Sequence, residues 1–198
     1  MKELILEIEK YASEKNIPII EKKTIAYIMK FINDNNIKNI LEIGSAIGYS
    51  SILMASVNPN ISITTIEKDE QRYMECIKNI KKAGYDKRIN VVYQDALEMN
   101  LSNDIKYDLI FIDAAKGQYI NFFEKFKYFL NDKGFIISDN LNFHGYVGRS
   151  TELEKGNLRS LVEKIESYKD FLEHNEEFDT RFIDVGDTIS ISERKKDE

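Results

Sequence analysis

The chain alternates between two hydrophobic periods. Leu4, Ile5, Ile8 and Tyr11 recur at helical spacing, so residues 2–15 read as an amphipathic helix. Asn16-Ile17-Pro18 interrupts it. A second helical pattern covers 22–33, with Ile25, Ile28, Met29 and Ile32 on one side, and Asp34-Asn35-Asn36 ends it with turn chemistry. The period then shortens. Residues 40–43 form a short apolar run stopped by Gly44 and predict a strand, and 47–57 predict a helix closed by Asn58-Pro59-Asn60. The alternation continues with strands at 61–66, 89–93, 108–112 and 135–137. Helices are predicted at 69–83, stopped by Gly84, and at 119–130, broken by Lys133-Gly134. A long helix follows at 151–173. Runs at 181–185 and 188–191 flank Gly186-Asp187 as a tight hairpin. Five strand–helix alternations and a closing hairpin specify an α/β fold: a mostly parallel sheet, helices on both faces, and one antiparallel strand near the end.

At 198 residues the chain has the length of one domain, and no repeat, linker or low-complexity tract divides it. It reads as a single unit, 1–198, with an N-terminal helical segment (1–36) and an α/β core (37–198). No apolar run approaches the ~18 residues of a membrane span. The start, Met1-Lys2-Glu3-Leu4, does not read as a signal peptide. One cysteine and two histidines exclude an internal disulfide and a multi-Cys or His-rich metal centre. A cytoplasmic protein of a reducing compartment, with no membrane partner, is the expectation. Net charge is −6, and residues 151–179 hold nine acidic against four basic side chains, so most of the excess lies there. A field of that sign gives nucleic acid no global attraction.

Candidate chemistry clusters at strand ends. The first strand runs into Leu41-Glu42-Ile43-Gly44-Ser45-Ala46-Ile47-Gly48-Tyr49-Ser50, a glycine-containing βα turn that lets a ligand approach the backbone. Ala46 stands where the dinucleotide fingerprint requires its middle glycine, which weakens an NAD reading and suits a looser turn. Glu67 closes the second strand, where a carboxylate can accept hydrogen bonds from ribose hydroxyls; the alternative is a solvated loop charge. Asp95-Ala96 follow the third strand and suit an adenine edge, with a helix N-cap as the plainer role. The fourth strand ends in Asp113-Ala114-Ala115-Lys116 and the fifth in Ser138-Asp139-Asn140. If these strands are neighbours, their ends lie ~5 Å apart. Asp113, Asp139 and Asn140 then offer three oxygen ligands to a divalent cation, with Lys116 one turn from Asp113. Cys76 reads as packing and His174 as exposed; His144 follows the cation-ligand candidates closely, with substrate contact as the lesser reading. Lys78, Lys81, Lys82, Lys87 and Arg88 read as a solvated face, and residues 194–198 as a frayed, solvated tail.

The segments LEIGSAIGYSS, IEKDE, QDA, IDAAKGQY and SDN together resemble the metal-dependent O-methyltransferases of the catechol and caffeoyl-CoA type, over nearly the whole chain. Within that family, IPII, AIGYS, DAAKGQY and DNLNFHGYV are most similar to the bacterial branch that methylates 5-hydroxyuridine at the tRNA wobble position. The resemblance implies a Rossmann-like class I methyltransferase fold with a seven-stranded sheet, S-adenosylmethionine as methyl donor, and Mg²⁺ or another divalent cation. It implies cofactor contacts at Ile20, Glu42, Gly44, Ser50, Glu67, Asp95, Ala96 and Asp113. It implies metal ligands at Asp113, Asp139 and Asn140, and a general-base or oxyanion-stabilising role for Lys116. Catechol enzymes carry an aromatic residue before that lysine; here it is Ala115. The implied product is 5-methoxyuridine in the tRNA anticodon, with a small catechol-like or caffeoyl-CoA-like phenol as the alternative substrate. A homodimer is expected. An NAD-dependent oxidoreductase and a non-catalytic cofactor-binding module are the readings from other classes.

Overall fold

The computed structural model describes residues 1–102 and 104–196. Among the described residues seven strands and six α-helices follow in the predicted order. The helices are α1 (Lys2–Lys15), α2 (Lys22–Asp34), α3 (Tyr49–Ser56), α4 (Glu70–Ala83), α5 (Tyr119–Phe126) and α6 (Asn157–Glu173). The strands are β1 (Asn39–Ile43), β2 (Ser62–Glu67), β3 (Ile89–Tyr93), β4 (Tyr107–Ile112), β5 (Leu130–Ser138), β6 (Phe178–Ile183) and β7 (Ile189–Arg194).

The sheet order is β3-β2-β1-β4-β5-β7-β6. Neighbours from β3 to β5 run parallel, and β7 is antiparallel to both β5 and β6. This is the seven-stranded Rossmann-like architecture that the resemblance implies, with its one antiparallel strand inserted between β5 and β6. Side-chain alternation assigns the two faces. Ile40, Leu109 and Phe111 point into an apolar layer with Ile8, Ile28, Ile52 and Ile80 of α1–α4. Leu41, Ile43, Ile110 and Ile112 point to the other layer, with Phe123 of α5 and Ile165 and Tyr168 of α6. Each such fully buried side chain contributes about 1.5–3 kcal/mol relative to exposure.

Several boundaries differ from those read in the chain, each for a tertiary or local reason. Helix α3 starts at Tyr49 because Gly48, in the left-handed region at φ 84, is its N-cap. Asp69 caps α4 by accepting the Arg72 N–H. The predicted helix 119–130 ends at Phe126, and β5 begins at Leu130, running through Lys133-Gly134. Pairing of Leu130 with Tyr107, after a register shift, overrides the breaker signal. The helix predicted from 151 begins at Asn157, with a short 3₁₀ turn at Ser150–Glu152 before it. The residues read as a frayed tail are partly anchored. Arg194 ends β7, donates to the Lys127 carbonyl and lies over the Phe178 ring, and Lys195 N–H bonds to the Glu177 carbonyl. Asp197 and Glu198 lie outside the described residues. Among the described residues no helix is long and apolar enough to cross a membrane.

Candidate active site

Strand order reverses around β1, whose neighbours are β2 and β4. In open α/β sheets that reversal opens a crevice at the carboxyl ends of the strands. A cavity of about 420 Å³ lies there, bordered by the ends of β1, β2, β4 and β5 and the residues after β3. Ten of the eleven residues singled out above line it: Ile20, Gly44, Ser50, Glu67, Asp95, Ala96, Asp113, Lys116, Asp139 and Asn140.

Gly44 makes the turn possible. Its φ is +97°, and a Cβ there would sit 2.4 Å from the Asp113 carbonyl oxygen. The loops after β1 and β4 therefore touch backbone to backbone, which only glycine allows. Ser50, in the first turn of α3, lines the cavity and donates its hydroxyl to Glu42. Glu42 is the exception to the cavity set. It is fully buried behind the loop and receives hydroxyls from Ser50, Ser51 and Thr65. Burial pushes its carboxyl up to about 7 despite those donors.

Glu67 is buried to 8% exposure and shapes the neighbouring loops. Its Oε2 accepts the Ala46 N–H at 2.9 Å, and its Oε1 accepts those of Lys68 and Asp69 at 2.9 and 2.8 Å. Three of roughly four lone-pair positions are occupied by backbone, so a ribose hydroxyl would share this carboxylate with the loop that frames it. Asp95 accepts the Leu97 N–H at 2.9 Å and pairs with Lys68 at 3.2 Å; these contacts hold its carboxyl below the usual range. Its side chain thus caps the turn at Asp95–Glu98 while still lining the cavity.

The other wall is acidic. Ile112 of β4 registers with Ser138 of β5, so Asp113 and Asp139 leave the sheet side by side. Their backbones continue the ladder, with Asp113 N–H to the Ile43 carbonyl and Asp139 N–H to the Ile112 carbonyl. Asp139 is 3% exposed. Burial raises both carboxyls, and for Asp139 the charge of Asp113 adds to the rise; Lys116 offsets it in part. Asn140, at φ 62°, brings its amide to 3.4 Å from Asp113 Oδ1. A buried carboxylate and a half-buried one that repel each other, plus one amide, make a hard-oxygen donor set that suits a divalent cation. Asn140 would turn its amide oxygen inward to join it, since its Nδ2 now faces Asp113. Among the described residues no cluster of three His, Cys, Asp or Glu side chains is arranged for a metal, so water and substrate would complete any shell here.

Some wall residues carried no sequence signal. Arg72 lines the cavity one turn beyond Asp69, and Phe122 does so three residues after Tyr119 on α5. His144 is exposed, and its N–H bonds to Asp187 Oδ1. His174 is exposed and Cys76 fully buried, as read. Lys78, Lys81, Lys82 and Lys87 of the basic run are exposed, as read, and only Arg88 is partly buried. Lys78 pairs with Glu75, Lys82 with Glu7, and Arg88 donates to the carbonyls of Ala55, Asn58 and Ile61, clamping the turn before β2.

Comparison with known proteins agrees with this geometry. The O-methyltransferase family model matches residues 1–195. Tapetum-specific methyltransferase 1 of Arabidopsis thaliana is 30% identical over 194 residues, 94% of this chain and 82% of its own length. A crystal structure described as a candidate caffeoyl-CoA O-methyltransferase from Staphylococcus aureus has 35% identity and TM-score 0.91, covering 96% of this chain and 92% of that one. An O-methyltransferase from Bacillus cereus, solved with SAH, shares the fold at 21% identity and TM-score 0.83, covering 98% and 91%. The dinucleotide-oxidoreductase alternative falls with these matches. The chain belongs to the O-methyltransferase family, the S-adenosylmethionine-dependent enzymes of Rossmann-like fold that include the caffeoyl-CoA type.

Proposed function

We propose that this protein transfers a methyl group from S-adenosylmethionine to one of two vicinal oxygens of a phenolic acceptor of the catechol or caffeoyl-CoA type, assisted by a divalent cation. The observation that carries the reading is the β4–β5 register. It sets Asp113 beside Asp139-Asn140 at one wall of the cavity, with Lys116 on the same wall. The opposite wall, from Gly44 to Glu67 and Asp95-Ala96, has the turn, the carboxylate and the apolar floor that a nucleoside needs. Ile20 and Ser50 border the methionine end. A bound divalent cation would lower the pKa of the attacking hydroxyl. Asp113, Asp139 and Asn140 would hold that cation, and Lys116 would accept the acceptor's proton or stabilise its oxyanion. Holding donor and acceptor in line is worth up to ~7–11 kcal/mol in well-oriented pairs. The names of the relatives support a phenolic acceptor.

A second acceptor fits the same chemistry: 5-hydroxyuridine at the tRNA wobble position, whose 5-hydroxyl and 4-carbonyl are also vicinal. Its support is a set of cations at the cavity, placed among the carboxylates of Glu21, Glu67, Asp95, Asp113 and Asp139. Lys68, Arg72 and Lys116 line the cavity, and Lys164 of α6 packs against Gly117 beside Lys116. Those cations suit a polyanionic carrier, either the phosphates of a CoA thioester or an RNA backbone.

The test is methyl transfer from labelled S-adenosylmethionine to catechol, caffeoyl-CoA and bulk tRNA from a strain lacking this protein, with nucleoside mass spectrometry for the RNA. Turnover on either phenol and none on RNA supports the first acceptor, and 5-methoxyuridine alone transfers the assignment to the second. Asp139→Ala, or excess chelator, should abolish turnover while SAH still binds. Full activity in chelator ends the cation-assisted reading.

A further inference from the structure

The turn between β6 and β7 lies outside the cavity wall, yet it grips the segment that carries Asn140. Three hydrogen bonds join them. Leu141 N–H donates to the Thr188 carbonyl at 2.9 Å, Asn142 N–H to the Asp187 carbonyl at 3.0 Å, and His144 N–H to Asp187 Oδ1 at 2.8 Å. The gripped segment is costly to hold. Asn140, Phe143 and His144 all have φ between 44° and 62°, a left-handed conformation that bulky L-residues avoid. Such strain persists only where the surroundings over-determine it.

The turn is itself held in place. Thr188, a β-branched residue, has φ 60°. A Cβ on Gly186 would fall 2.1 Å from Thr24 Oγ1 and 3.1 Å from Glu21 Oε2, so the turn is wedged against the start of α2, where Glu21 lines the cavity. Asp187 is 6% exposed, and its Oδ2 has no hydrogen-bond partner among the described residues. Burying a carboxylate with one oxygen unpartnered is unfavourable. The structure spends the other oxygen on a single backbone N–H of the strained segment.

We propose that Asp187 is a positioning residue: by accepting the His144 N–H it holds the segment after β5 in its left-handed path, and so places Asn140 beside Asp113. This inference rests on the reading of Asp113, Asp139 and Asn140 as a cation site for its consequence, but not for the clamp itself. Neither Asp187 nor His144 touches cofactor or acceptor in this scheme.

Two readouts test it. The first is amide hydrogen exchange, which needs no cation. Asp187→Ala should speed exchange at 142–144 by at least about tenfold, the effect of losing a hydrogen bond to a charged acceptor. Amides of β4 should stay protected. Asp187→Asn keeps an oxygen for His144 and should restore the wild-type rate. Asp187→Ser, which is too short to reach, should behave like Ala and serves if the Ala variant does not fold. The second readout is calorimetric titration of Mn²⁺ into the SAH-bound protein. Affinity should fall about tenfold in the Ala and Ser variants, return in Asn, and leave SAH affinity unchanged. Wild-type exchange in Asp187→Ala overturns the clamp, as does an Asn variant no better than Ala. If wild-type protein binds no Mn²⁺, the cation reading falls, and the exchange experiment alone then upholds or overturns the clamp.

Discussion

Glu42→Gln measures what the buried carboxyl behind the Gly44 loop does. Its two oxygens receive hydroxyls from Ser50, Ser51 and Thr65, yet burial still raises the carboxyl from 4.5 to about 7. A carboxyl whose folded pKa lies above its unfolded one keeps its proton longer in the native state. The unfolded chain binds fewer protons between those two values, so stability falls as pH rises from about 4.5 to about 7 and levels off above. The span from 4.5 to about 7 corresponds to roughly 3 kcal/mol, of which roughly 2–3 kcal/mol is lost between pH 5 and pH 8. Glutamine is neutral throughout and has no such dependence. Urea unfolding of both proteins at pH 5 and pH 8 reads the effect directly. The stability of wild type minus that of Glu42→Gln should drop by roughly 2–3 kcal/mol from the lower to the higher pH. Because Glu42 forms no part of the cavity wall, SAH affinity should stay nearly unchanged. A stability difference that is the same at both pH values refutes the assignment of a protonated, buried Glu42.

Three further outcomes follow from the site. Gly44→Ala places a methyl group 2.4 Å from the Asp113 carbonyl oxygen at φ +97°, and should cost more than about 2 kcal/mol of stability together with SAH binding; wild-type melting and titration curves would exclude the close approach. Glu67→Gln opposes an amide NH₂ to at least one of the three backbone N–H groups that now bond to Glu67, and should weaken SAH binding by about 1–3 kcal/mol in calorimetry; an unchanged titration removes Glu67 from the site. Burial pushes the Cys76 thiol up to about 12, so native protein at pH 8 should not react with a disulfide reagent until guanidinium unfolds it; rapid native labelling would contradict its burial.

Much of this was legible because local chemistry and burial agreed. The strand at 89–93 and the helix at 2–15 were bounded as read, and the helix opening at 22 runs one residue beyond its reading, since apolar periodicity coincided with turn residues at their ends. Where the reading slipped, a distant partner decided. Nothing near Leu130 announces that Tyr107 will pair with it and end α5 early. Arg88 reads as one more surface cation until the end of α3 and the turn before β2 bring three carbonyls to its guanidinium. Glu42 was in principle legible. Alternation along β1 puts it on the same side as Ile40, and its register partner is Thr65, one of its three hydroxyl donors.

By itself the sequence determined the kinds of element, their order, and the residues that end each strand, because these depend on periodicity, turn propensity and chain direction. It supplied Asp113 and Asp139-Asn140 as separate strand ends. Only the tertiary structure made them one wall. Which strands lie side by side follows from how both faces of the sheet are covered and how each crossover returns, a property of the packed whole. The same holds for Asp187, 47 residues beyond Asn140 in the chain, whose grip on the segment after β5 exists only once β7 has inserted antiparallel beside β5.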